Sequence, residues 1–231
     1  MVDARTVELQ VANEALKRVN DELDNFIYKT SHDIRGPLAS LKGMCNVAIM
    51  DVKDQLALSY FTKLDATAER LNTILTRLLI INQINNSSAS HELIDFKSIV
   101  EDVIILERKK GLPPKLHIKK QIEIGIMFYS DKELIRIILE NLIDNAIKFY
   151  NDSDRVDPFV EISIGYDNGD LKIRVIDNGI GVSQVSPDKI FQMFSRASER
   201  SGTGGIGLYL TKTATEKLGG HIDLKTTPEG Y

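Results

Sequence analysis

Apolar residues recur in alternating steps of three and four at Leu9, Ala12, Leu16, Val19, Leu23 and Phe26, the seam of a heptad repeat. Neither glycine nor proline interrupts this stretch before Gly36, and one helix is predicted from about Thr6 to about Met50. At 1.5 Å per residue it is a rod of roughly 65 Å. A second stretch repeats the spacing at Phe61, Leu64, Ala68, Leu71, Leu75 and Leu78, and stops at Asn85-Asn86-Ser87-Ser88. A short polar turn near Asp51 to Gln55 would join the two as an antiparallel hairpin with an apolar stripe left exposed. The seam from Leu9 to Phe26 has no second heptad run in the chain long enough to cover it. A parallel homodimer, with the paired hairpins forming a four-helix bundle, is the expected solution.

The polar break from Asn85 to Ser90 marks a change of character. Beyond it, Leu93 to Phe96 and Leu116 to Ile124 read as strands, and Lys97 to Lys110 and Lys132 to Tyr150 as helices. Val160 to Tyr166 and Leu171 to Ile176 read as a hairpin turning at Asp167-Asn168-Gly169-Asp170. Strands grouped with helices between them predict a two-layer α/β sandwich, so the chain as a whole joins an all-α part to an α+β part. The expected division is a coiled-coil helix at 1–25, a helical hairpin at 26–88 and the α/β domain at 89–231.

Composition narrows the function classes. With 231 residues, 42% of them hydrophobic, the chain can bury a core in two units of ordinary size. A net charge of −4 with scattered basic residues argues against nucleic acid as a partner. The single Cys45 excludes an internal disulfide and fits a buried thiol in a reducing, cytoplasmic setting. No apolar run reaches the roughly 18 residues of a membrane span, and the acidic start does not read as a signal peptide. The expectation is a soluble protein, or the soluble part of a larger, membrane-anchored one.

Four segments carry chemistry. In Ser31-His32-Asp33-Ile34-Arg35-Gly36-Pro37-Leu38, Asp33 can hold one imidazole nitrogen of His32 and leave the other with a lone pair for nucleophilic attack. Pro37 has no amide for the Asp33 carbonyl, so the helix is expected to bend or loosen there. Asn141, Asn145 and Lys148 share one face of the helix from Lys132, beside Glu140. Neutral amide oxygens can complete the shell of a magnesium ion already bound to phosphate and water, and the lysine can neutralise phosphate. Asp177-Asn178-Gly179-Ile180-Gly181 follows a strand. Its carboxylate can accept from an exocyclic amine, which favours adenine over guanine, while Gly179 and Gly181 let backbone approach a flat ligand. Gly202-Thr203-Gly204-Gly205-Ile206-Gly207-Leu208 opens a helix whose free amides suit a polyphosphate. It lacks the Walker A ending and the Rossmann βαβ context. The polar run Ser195 to Gly205 has the composition of a lid.

Taken in order, these segments and Phe191-Gln192-Met193-Phe194 resemble the H, N, G1, F and G2 boxes of the sensor histidine protein kinases, from about residue 20 to the C-terminus. The resemblance implies a dimerisation and histidine-phosphotransfer domain followed by a catalytic domain with the ATP-binding fold shared by gyrase and Hsp90. It further implies autophosphorylation from ATP and Mg²⁺, with transfer to an aspartate on the receiver domain of a separate response regulator. Carried over by motif, His32 is the phosphoacceptor and Asp33 its base or orienting carboxylate. Asn145 is the magnesium ligand, with Asn141 and Lys148 at the phosphates. Asp177 reads adenine in a pocket shaped by Gly179 and Gly181. Gly205 and Gly207 meet the phosphates with Leu208 closing the motif, and Arg196 is a further phosphate contact.

Three features depart from the family. Gly36 stands four residues after His32, where Asn or Thr is usual and positions the water that dephosphorylates the regulator. An additional glycine, Gly204-Gly205, lengthens the G2 box, and the chain ends at Tyr231 where a last strand is normal. Two other readings share parts of the pattern: an ATPase clamp using Glu140 as base, and a dimeric scaffold without turnover.

Overall fold

The computed structural model describes residues 2–153, 157–182, 187–195 and 205–226, in two compact units divided between Gln83 and Ile84. In the first, α1 (Val2–Asp51) is one continuous helix and α2 (Gln55–Asn86) folds back along it, its last residues belonging to the second unit. Asp54 caps α2, its Oδ1 accepting from the Ala57 amide at 2.8 Å. Pro37 lies inside α1 without interrupting it, so the expected loosening does not break the helix.

The seam between α1 and α2 is set by a seven-residue repeat of buried positions, Asp24, Ser31, Leu38 and Cys45, facing Ala68, Leu75 and Asn82. Asn82 Nδ2 donates to the Asp24 carbonyl at 2.8 Å, and Lys42 pairs with Glu69 at the edge. This buried polar contact fixes register, because sliding by one turn would leave a buried amide unpaired. Outside this seam the apolar heptad remains in solvent: Leu9 is 71%, Leu16 68% and Phe26 67% exposed.

In the second unit β1 (Glu92–Leu93) pairs with β3 (Tyr129–Ser130), and α3 (Phe96–Lys110), β2 (His117–Ile122) and α4 (Lys132–Lys148) alternate with them. β4 (Phe159–Asp167) and β5 (Asp170–Asp177) follow, then the short α5 (Pro187–Ile190) and α6 (Gly207–Lys217). The main sheet has the order β2-β4-β5, with β2 parallel and β5 antiparallel to β4. Asn168 and Gly169 close the β4–β5 hairpin with positive φ at both positions, the geometry an Asn-Gly pair favours.

β4 alternates with period two, burying Val160, Ile162 and Ile164 against Ile99, Val103, Leu139 and Ile143 of α3 and α4. The segment from Leu93 to Phe96, expected as a strand, yields only Glu92–Leu93. Asp95 accepts from the Ser98 amide at 2.9 Å and starts α3, which draws Phe96 into the core as a helical residue. The two-residue β3 had no alternation to reveal it. Residues 221–226 form no strand. Among the described residues no helix is long and apolar enough to cross a membrane.

Candidate active site

Ser31 and Leu38 point into the α1–α2 seam and thereby turn His32 outward. Its side chain is 71% exposed, and Nδ1 lies 3.5 Å from Asp33 Oδ1, longer than a tight hydrogen bond but close enough to bias the imidazole. That arrangement leaves Nε2 as the free nitrogen. A side chain at Gly36 would meet nothing within 4 Å, so the surface one turn beyond His32 is bare.

In the second unit a cavity opens between α4, the end of β5 and the start of α6. From α4 it is lined by Leu142, Asn145, Ala146 and Phe149, one stripe at helical spacing. Val175, Asp177, Gly181 and Val182 line the β5 side, Ile190 and Ser195 the segment after α5, and Gly205, Gly207 and Leu208 the entry to α6. Leu224 closes it from the tail. Among the described residues the wall is apolar except for the side chains of Asn145, Asp177 and Ser195. Ile206 at the N-cap of α6 supplies no side-chain hydrogen bond, and Gly207 and Leu208 of the first turn lie on the cavity wall. A second, wide-open depression on the sheet, between Gln121, Ser163, Tyr166 and Arg174, lies apart from these residues.

Asp177 Oδ1 accepts from the Gly179 amide at 2.9 Å, leaving Oδ2 for a ligand. Burial raises the carboxyl pKa above the usual aspartate value, and the Gly179 amide offsets only part of that. Phe149, at the C-cap of α4, ties the loop down: its carbonyl accepts from the Ile180 amide at 2.9 Å. A Cβ on Gly179 would fall far inside van der Waals contact with that carbonyl, and 2.7 Å from Asp177 Oδ1. Gly179→Ala is therefore expected to cost about 1–3 kcal/mol of stability and to abolish nucleotide binding, read by urea denaturation and by titration with a fluorescent adenine nucleotide. Gly205 has φ +74° and its Cβ would strike the Ser195 carbonyl, so the two segments meet backbone to backbone.

Of the residues singled out from sequence, Asn145, Asp177, Gly181, Gly205, Gly207 and Leu208 come together on the cavity wall. Gly179 lies just behind it. Asn141 is buried and donates to the Ile137 carbonyl at 2.8 Å, and Lys148 is half-buried off the wall. The cavity stripe and the polar stripe of α4 share Asn145 alone, because the cavity is centred on its Phe149 side. Arg196 and Gly202 to Gly204 lie outside the described residues. Glu140, on the other side of α4, faces Arg136 and Lys110, its pKa raised chiefly by burial. Asp177 is the one acidic residue among the described residues of the wall, so Glu140 is not placed as the base of an ATPase clamp. Sequence reading did not assign Leu142, Ala146, Phe149, Val175, Val182, Ile190 and Leu224 to the site, and had Ser195 only as the start of the lid run. The α4 members were visible as an i, i+3, i+4, i+7 pattern, whereas Leu224 had no local signal.

A helical hairpin carrying an outward histidine thus stands in one chain with an α/β domain whose cavity ends on a glycine-rich helix start. The profile of the His Kinase A (phospho-acceptor) domain matches residues 22–87, and that of the histidine kinase-, DNA gyrase B-, and HSP90-like ATPase matches residues 130–231. The chain belongs to the histidine kinase family. Relatives include the sensor protein GacS of Pseudomonas syringae pv. syringae, 27% identical over 98% of this chain and 26% of its own length. ArcB, the aerobic respiration control sensor protein of Escherichia coli, is 28% identical over 94% of this chain and 28% of its own length. The chain thus spans about a quarter of the curated relatives it matches. In fold it is similar to ShkA, crystallised full-length with AMPPNP, at a TM-score of 0.66 and 21% identity, covering 87% of this chain and 42% of that one. It is also similar to AdeS of Acinetobacter baumannii, at 0.53 and 23%, covering 80% and 86%.

Proposed function

We propose that this chain is the kinase core of a sensor histidine kinase, transferring the γ-phosphoryl group of ATP to His32 and then to an aspartate on a response regulator receiver domain. The observation that carries it is the outward His32 with its paired Asp33, in one chain with a cavity whose polar groups are few and separately placed. Asp177 would read the adenine amine, and the α6 amides at Gly207 and Leu208 would face the phosphates with Gly205 beside them. ShkA bound to AMPPNP supports an adenine nucleotide in a fold of this kind. The proposed organisation is a signalling helix at 1–25, the phosphotransfer domain at 26–88 and the catalytic domain at 89–231.

Among the described residues no group of three or more His, Cys, Asp or Glu could hold a metal ion. A neutral Asn145 on the wall therefore fits a Mg²⁺ that arrives on the polyphosphate and needs one more oxygen. When bound, Mg²⁺ supplies charge neutralisation at the phosphates. Asn141 would support α4 from within, and Lys148 and Arg196 remain the proposed phosphate cations.

In the transfer, the Nε2 lone pair of His32 forms the N–P bond. The bond from Pγ to the bridging oxygen breaks, and ADP leaves with its electrons. Asp33 faces Nδ1, where positive charge develops on the ring, and can take that proton. Positioning supplies most of the acceleration. The uncovered heptad from Leu9 to Phe26 supports a homodimer, since an apolar stripe of that length is not stable in water. Incubation with γ-labelled ATP and Mg²⁺ is expected to give protein label that is lost in acid and kept in alkali. Acid-stable label, or nucleotide turnover with no protein label, would remove the kinase reading.

A further inference from the structure

Asn178 is the residue of the Asp177–Gly181 turn to which neither the motif nor the cavity assigns a task. It is 7% exposed. Its Oδ1 accepts from the Phe159 amide at 2.7 Å, and its Nδ2 donates to the Asp157 carbonyl at 2.8 Å. Both partners are backbone groups of fixed polarity, so the orientation of the amide is determined by them. The β4–β5 ladder ends at the pair Val160 and Asp177, one residue short of Phe159. The Asn178 side chain supplies that missing rung and brackets the buried Pro158, whose carbonyl accepts from His117 at the head of β2 at 2.9 Å.

Consecutive residues of the turn are therefore anchored on different elements. Asn178 holds to the start of β4, the Gly179 amide holds the Asp177 carboxylate, and Ile180 holds to the end of α4. Asp177 is the last paired residue of β5. Without the Asn178 rung, the strand end that carries its carboxylate is free to fray.

We propose that Asn178 is a positioning residue for base recognition: its side-chain amide fixes the Asp177 carboxylate and so sets the preference for adenine over guanine. This rests on the cavity being the adenine nucleotide site. A carboxylate held in one place is left unpaired by a guanine carbonyl and rejects it, whereas one that can move aside tolerates either base.

The test measures equilibrium binding of ADP and GDP by the whole chain, wild type and variants, with thermal melts alongside. In Asn178→Ala, the ratio of ADP to GDP affinity is expected to fall about tenfold, roughly one lost hydrogen bond. Equal loss for both nucleotides, with the ratio kept, would mean that Asn178 only holds the fold together, and overturns the proposal. Should the alanine variant not fold, Asn178→Asp keeps the shape and the acceptor for Phe159 but at neutral pH has no proton to donate to the Asp157 carbonyl, and the ADP to GDP ratio is again expected to fall. A folded Asn178→Asp protein with the wild-type ratio overturns the role. A wild type that binds neither nucleotide, or both equally, removes the adenine-site reading itself, a result distinct from a change confined to the variants.

Discussion

Replacing His32 by alanine is expected to reduce the acid-labile label to background while leaving nucleotide binding within about twofold of wild type. The two effects separate because His32 lies in the helical unit, and the cavity that holds Asn145, Asp177 and the α6 amides lies wholly in the other. Removing the imidazole takes away the nucleophile and nothing that touches the base or phosphates. It should not unfold the hairpin either, since the side chain is 71% exposed and the α1–α2 seam is built by Asp24, Ser31, Leu38 and Cys45. Asp33→Asn is expected to slow labelling by about 10²-fold or more, the range of a lost base or orienting carboxylate. Label that persists on the His32→Ala protein would move the phosphoacceptor elsewhere, with His91, His117 and His221 the remaining histidines of the chain.

Asp177→Asn is expected to weaken ADP or ATP binding by roughly 10- to 100-fold, the cost of losing one hydrogen bond to a charged acceptor. It should also raise the stability of the nucleotide-free protein. The sign follows from the pKa. Partial desolvation lifts the carboxyl above its unfolded value, and because the residue stays solvent-exposed, ionised Asp177 is only a small cost to the folded state at neutral pH. That cost disappears as the pH falls through the folded pKa. The amide variant keeps an acceptor for the Gly179 N–H but carries no charge, so it should melt higher than wild type at pH 7 and converge with it in acid. Adenine binding by the wild type runs the other way, weakening as the same group protonates, at a pH above that of an ordinary aspartate. Thermal melts and binding titrations across pH 4–8 check both arms. A variant that binds ADP as well as wild type would remove Asp177 from the base site, and one that melts lower at pH 7 would overturn the desolvation cost.

His32 and Asp33 are adjacent in the chain and legible there as a pair, whereas the inward positions of α1, Asp24, Ser31, Leu38 and Cys45, lie off the Leu9–Phe26 heptad and were decided by packing against α2. Asp177 was legible as a motif residue, but its raised pKa and the carbonyl of Phe149 pressed against Gly179 were not, since they depend on a helix nearly thirty residues earlier.

Periodicity determined the long helices, the Asn-Gly hairpin and the alternation of β4, because each is a local interaction of the chain with itself and recurs every two, three or four residues. Sequence order alone also placed the histidine and the glycine-rich helix start in one chain. The tertiary structure decided which side of α4 becomes a wall. Packing of its opposite side against α3 brought Glu140 toward Lys110, and left Leu142, Asn145, Ala146 and Phe149 for the cavity. It also decided that Leu224 closes the cavity and that Asn178 completes the sheet. Such contacts join positions far apart in sequence, where the choice of partner belongs to the packed core and leaves no period to read.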